Sequence, residues 1–107
     1  MPKLYEILIP IEMPCNGYIK PIRAIYHRVW DDAVRNITGG ITILKPVDGQ
    51  WLSPRNNLYS EKMIPVRIMC TNEQMEEIVK YTAEYYNQKA VMYYVISSEV
   101  FIREFND

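Results

Sequence analysis

The side chains of this 107-residue sequence that could do chemistry are few and scattered. His27 is the only histidine, and Cys15 and Cys70 are the only cysteines, far apart in the chain. A tetrahedral metal site wants four Cys/His ligands, so no metal site is expected, and no cofactor motif is legible. The cysteines read as a buried Cys70 near a strand end and a reduced Cys15 thiol in a loop. No nucleophile stands in a recognisable arrangement with a base, so no catalytic residue is assigned. What remains is recognition chemistry. Arg67 and Arg55 carry guanidinium forks that suit a carboxylate or phosphate, and Lys45 offers a point charge. Trp51 and Tyr94 offer aromatic faces to a planar ligand. Glu61 can orient a polar group, and His27 can titrate near neutrality. Each has a plainer role: Arg67 in a salt bridge to Glu6 or a partner subunit, Trp51 and Trp30 as lids on the core, Glu61 solvated, and His27 exposed on a helix beside Arg28 and near Asp31.

Twelve Lys and Arg balance thirteen Asp and Glu, so no bulk field attracts a phosphate backbone, and nucleic acid is a poor partner. The start Met-Pro-Lys-Leu-Tyr-Glu lacks the basic and apolar regions of a signal peptide, and no apolar run approaches about 18 residues. A cytoplasmic protein with no membrane span is expected. Nine Tyr and two Trp stand against two Phe. Aromatic area with polar tips suits half-buried surfaces that meet water, a ligand or a partner.

The elements that must position these residues follow from periodicity. Leu4–Ile11 alternates as a strand. Pro14–Lys20 reads as a loop around an Asn16-Gly17 turn signal. Pro21 suits a helix start, and Ile22, Ile25, Tyr26, Val29, Ala33 and Ile37 follow at helical spacing with Arg28–Asp32 and Asp31–Arg35 as ion pairs. Gly39-Gly40 ends that helix. Ile41–Lys45 is a strand, Pro46–Gly49 a turn, Gln50–Leu52 a short extended return and Ser53–Asn57 a loop. Leu58–Cys70 alternates again, with Ile64, Val66, Ile68 and Cys70 on one face and Met63, Pro65, Arg67 and Met69 on the other; Pro65 argues for an edge position or a bulge. Thr71-Asn72-Glu73-Gln74 is a capping box opening a helix of about 17 residues, with Met75, Ile78, Val79, Thr82 and Tyr85 or Tyr86 on its apolar stripe. Ala90–Ile96 is a strand, and Val100–Phe105 continues it or forms a fifth.

The order β-α-β-β-α-β predicts a single α+β domain over residues 1–107. Its architecture is ferredoxin-like: a four-stranded, possibly five-stranded, antiparallel sheet with two helices on one face. The opposite face is then open, and Met63, Pro65, Arg67 and Met69 make it apolar enough to predict a homodimer or higher oligomer packed through it. A pocket lined by tyrosines and closed by Arg67, Lys45 or Arg55 could survive beside that interface.

Gly40-Ile41-Thr42-Ile43-Leu44, then Gly49-Gln50-Trp51, then Glu61 and a β-rich run resemble a family of small uncharacterised α+β proteins with a G-x-T-x-L…G-x-W…E pattern. The match covers about residues 28–102 and implies a dimeric ferredoxin-like fold; the Pro14–Lys20 insert departs from it. The expected function is a non-catalytic, homo-oligomeric binder of a small polar or nucleotide-like ligand, of the kind a phage encodes to sequester a nucleotide signal of bacterial defence. The alternative is a cofactor-independent monooxygenase or isomerase of the dimeric ferredoxin-like kind with His27, Tyr94 or Glu61 as proton carrier. A base-stacking single-strand binder is opposed by the charge balance.

Overall fold

The computed structural model describes residues 1–106, and of Cys15 the backbone alone, so the expectation for the Cys15 thiol lies outside the described residues. The chain runs β1 (Lys3–Pro10), β2 (Glu12–Cys15), β3 (Tyr18–Pro21), α1 (Ala24–Thr38), β4 (Thr42–Ile43), β5 (Val47–Leu52), β6 (Leu58–Cys70), α2 (Asn72–Tyr85) and β7 (Tyr93–Ser97). The main sheet has the order β4-β6-β1-β7, with β5 paired to β6 on the same side as β4, and every pairing is antiparallel. This is the split β-α-β order expected from the sequence, with β4 and β5 together taking the place of the second strand.

The central ladder joins β1 to β6 over eight residue pairs, from Lys3 opposite Cys70 to Pro10 opposite Met63. Alternation puts Tyr5, Ile7, Ile9, Val66, Ile68 and Cys70 into the core beneath the helices. α2 buries Met75, Ile78 and Thr82, with Tyr86 just beyond it, as its stripe predicts. α1 differs. Its buried residues are Trp30 and Val34, with Ile37 packed beside them, whereas Ile25 and Val29 are exposed. Burying the indole removes more apolar area than burying either smaller side chain, and Thr82 makes the site habitable by accepting from Trp30 Nε1 at 2.9 Å while donating to the Ile78 carbonyl at 2.7 Å.

Six other expectations are corrected. The segment around Pro14 is a β-hairpin, because Asn16 and Gly17 both take positive φ (48° and 82°), the backbone a tight two-residue turn needs, and Pro21 closes β3 instead of opening α1. Pro65 lies inside the sheet. Leu8, opposite it, donates toward Met92 on the β7 side, so the donor that Pro65 lacks faces the break between β4 and β5, where no ladder bond is forfeited. Residues 46–49 belong largely to β5, and Val100–Phe105 forms no strand. On α1 the ion pair is Asp32 with Arg35.

The capping box is complete: Thr71 Oγ1 accepts from the Gln74 backbone at 3.2 Å, and Gln74 Oε1 accepts from the Thr71 backbone at 2.9 Å. Gln74 Nε2 also donates to the Ile37 carbonyl of α1 at 3.1 Å, so the cap ties the two helices together. Thr71→Ala is expected to lower stability by about 1 kcal/mol, read as a shifted urea midpoint at unchanged slope.

Candidate functional site

β6 is longer than its partner β1. Residues 63–70 pair with β1, and residues 58–62 run on with β5 alone beside them. The β2–β3 ribbon folds back along this overhang, anchored where Ile11 donates to the Lys62 carbonyl at 3.3 Å and Ile22 donates to the Ile11 carbonyl at 2.6 Å. Between ribbon and overhang lies a cavity of about 480 Å³. Pro10, Met13, Pro14, Ile19 and Met63 give it apolar walls; Glu12, Asp48, Glu61, Lys62, Ser60, Tyr59 and Gln88 give it polar ones. Its lining includes three acids, Glu12, Asp48 and Glu61, and one base, Lys62, so the cavity is acidic overall. Gly49, opposite Glu61 in the ladder, leaves the space that the Met63 side chain occupies; a Cβ there would collide with it.

The amide oxygen of Gln88 is buried without a hydrogen-bond partner, and Gln88 lines this cavity. Tyr59 stacks on Trp51 with ring centroids 4.6 Å apart and planes inclined by 17°. Trp51 therefore sits on the hairpin surface, half exposed, and is not a lid on the core. Among the described residues, no three His, Cys, Asp or Glu side chains group as a metal site.

The remaining sequence candidates fall elsewhere. Arg67 donates from Nε to Glu6 Oε1 at 3.0 Å, and Tyr94 donates to the other oxygen of the same carboxylate. Glu6, 7 % exposed, is thus held from both sides at the centre of the open sheet face. That bond to Glu6, more than burial or the Glu6 charge, raises the Tyr94 phenol above its usual range, with Arg67 opposing. Lys45 is exposed between β4 and β5, and Arg55 is exposed in the turn after β5.

His27 is half buried, not exposed. Its Nδ1 lies 2.7 Å from the Tyr86 hydroxyl, and its Nε2 is buried without a partner. A smaller cavity of about 240 Å³, mostly apolar, lies beside it against Ile9, Ile43, Ile64 and Val66. The tyrosines expected at a ligand surface instead zip the helices. Tyr26 donates to the Tyr85 carbonyl at 2.7 Å, Tyr85 donates to the Tyr26 carbonyl at 2.8 Å, and their rings stack at 4.3 Å.

Of the sequence candidates, then, Glu61 lines the larger cavity and Trp51 backs its wall through Tyr59. Glu12, Asp48, Tyr59 and Gln88 were missed. The signal for Glu12 and Asp48 was absent, because each is an isolated acid that only the two hairpins bring to the same cavity.

No family model matches the chain, and no curated protein matches it. Solved structures do. The periplasmic divalent cation tolerance protein CutA from Archaeoglobus fulgidus superposes with a TM-score of 0.68 at 8% identity, covering 96% of this chain and 89% of that one. The divalent cation tolerance protein from Thermus thermophilus gives 0.65 at 9% identity, covering 99% and 88%. A phage SAM lyase in complex with S-methyl-5'-thioadenosine gives 0.58 at 18% identity, covering 94% and 93%. The chain has the ferredoxin-like fold. No helix of the described residues is long and apolar enough to cross a membrane.

Two titrations follow. Burial pushes the Cys70 thiol up to about 11, so in a Cys15→Ser background the remaining thiol is expected to react with a disulfide reagent only at the rate of unfolding. Burial lowers the His27 pKa below 6.5, against the pull of Asp31. The folded chain then binds fewer protons than the unfolded one as pH falls from 6.5 toward the folded value, so stability is full above that window and declines through it. His27→Gln is expected to flatten this decline in urea midpoints measured between pH 7.5 and 5.

Proposed function

We propose that this chain takes an adenosyl sulfonium of the S-adenosylmethionine type into the cavity between its hairpins and removes it from circulation by cleaving it. The observation that carries the reading is the acidic lining: Glu12, Asp48 and Glu61 against Lys62 alone. An acidic lining attracts a sulfonium and repels a polyphosphate, which narrows the sequence-based expectation of a nucleotide ligand to a nucleoside carrying positive charge. Tyr59 offers a ring to stack on a base, and the unpartnered Gln88 amide oxygen can accept from a nucleobase edge. The likeness to a phage SAM lyase over nearly the whole of both chains supports the same ligand class.

Cleavage needs little from the protein here. The ligand's own carboxylate attacks the γ-carbon bonded to sulfur, forming the carbon–oxygen bond of homoserine lactone as the carbon–sulfur bond breaks. The electron pair leaves with sulfur as neutral S-methyl-5'-thioadenosine, so no proton donor is required on the leaving group. A site that folds the ligand so that its carboxylate lies in line with that bond suffices, consistent with the missing nucleophile–base pair. Sequestration without turnover is the second reading, and the acidic lining favours it, because carboxylates stabilise the sulfonium more than a transition state in which its charge disappears. A phage-encoded role against a bacterial defence, with the chain working as a homo-oligomer, completes the proposal.

Calorimetry should show S-adenosylmethionine binding more tightly than its neutral thioether counterpart S-adenosylhomocysteine, with the gap narrowing at high salt. Glu61→Gln should weaken sulfonium binding about tenfold or more while leaving the thioether unaffected. Chromatographic appearance of S-methyl-5'-thioadenosine separates cleavage from holding. Equal affinity for sulfonium and thioether, or none for either, overturns the assignment.

A further inference from the structure

The chain exposes more surface than its mass requires. Its accessible area is 8269 Å², whereas a compact chain of 12.7 kDa exposes about 6,200 Å². Its radius of gyration is 15.5 Å, against about 13 Å for a compact domain of this length. The excess of roughly 2,000 Å² on one chain is more than twice the ~800 Å² that each partner contributes to a standard protein–protein interface.

The exposed apolar residues say where. The centre of the open sheet face contributes little: Glu6 and Pro65 are buried, and Leu4, Leu8, Arg67 and Met69 are half buried. Ile43, Val47, Trp51 and Leu52 are exposed along β4 and β5, whose outer side has no strand partner. At the opposite edge of the sheet, β7 leads through a Ser97 turn into residues 99–106, where Phe101 and Phe105 are 86% and 77% exposed. Some exposed apolar area also sits on α1 and at the β2–β3 tip. Val100-Phe101-Ile102-Arg103-Glu104-Phe105 is a β-forming run with no strand partner in its own chain.

We infer that residues 100–105 of one copy add as a strand to the free β5 edge of a second copy of this chain. A strand-forming segment without a ladder and an edge without a neighbour are two halves of one interaction: pairing satisfies both rows of backbone groups. The apolar side chains match, with Phe101, Ile102 and Phe105 meeting Val47, Trp51 and Leu52. The charges do not clash, since each side offers one cation and one anion near the contact, Arg103 and Glu104 against Lys45 and Asp48. The two surfaces lie on opposite edges of the sheet, so the contact is heterologous unless two copies exchange arms about a two-fold axis. An exchange of arms closes as a dimer and a heterologous contact closes as a ring when its rotation divides a full turn; in both the edges are hidden. The inference specifies the surface for the self-association already proposed and is independent of the ligand.

Native mass spectrometry and light scattering of the full chain at tens of micromolar should give one defined oligomer. Phe101→Asp/Phe105→Asp, and separately truncation after Ser98, should lower its order while far-UV circular dichroism stays unchanged. Hydrogen exchange should show the amides of 47–52 and 100–105 protected in the full chain and losing that protection together in the double variant. A monomeric full chain overturns the inference, as does an oligomer that survives the double variant with 47–52 unprotected, which would place the contact on another surface. S-adenosylmethionine binding by a monomer would leave the ligand assignment standing and remove this one alone.

Discussion

The register of β1 against β6 is the constraint from which the rest of the molecule follows. With a side-chain period of two, a slip of one residue would turn Tyr5, Ile7, Ile9, Val66, Ile68 and Cys70 away from the helices and bring Glu6 and Arg67 into the core. The observed register does the reverse. It puts the apolar set under Trp30, Val34, Met75 and Ile78, and it sets the carboxylate of Glu6 between Arg67 and Tyr94 on the far face, where a nearly buried acid has both oxygens bonded. An unpaired charge in that position would cost several kcal/mol; Arg67 and Tyr94 therefore secure the register from the second face.

The same ladder creates the cavity. Because β1 stops at Pro10 while β6 begins at Leu58, five residues of β6 project beyond the domain with only β5 beside them. Their flank would be another free edge had the chain not turned back as the β2–β3 ribbon. A ribbon joined to β6 at one point, through Ile11 and Lys62, leaves a gap instead of a packed layer. The acidic residues accumulate there because the hairpin surfaces are not committed to the core, and charged side chains are tolerated only on such surfaces.

Which aromatics serve packing and which face water was decided by the helices. Tyr26, Tyr81, Tyr85 and Tyr86 cluster at the α1–α2 contact, each aromatic body stacked or edge-packed on a neighbour, and three of the hydroxyls find a partner across the interface. A helix contact thus accounts for four of the nine tyrosines. Trp51 and Tyr59, at the hairpin, are the aromatic pair left beside a cavity.

Local pattern alone determined the order of the main elements, the buried face of β6, the stripe of α2, the Thr71 capping box and the left-handed glycine that ends α1, because each depends on neighbours within a few residues. The α1 stripe was misread toward Ile25 and Val29 because several helical stripes of similar apolarity compete, and the choice of Trp30 was made by Thr82 and Ile78 on another helix. Likewise Glu61 was legible as a candidate that can orient a polar group, but Glu12, Asp48 and Gln88 were not legible as its companions. Their proximity is a product of unequal strand lengths and of where one ribbon is pinned. Periodicity reports which way a side chain faces along its own element. The distance between elements far apart in the chain is settled only when long-range pairing closes the loops between them, and in this protein that pairing brought the acids to one cavity.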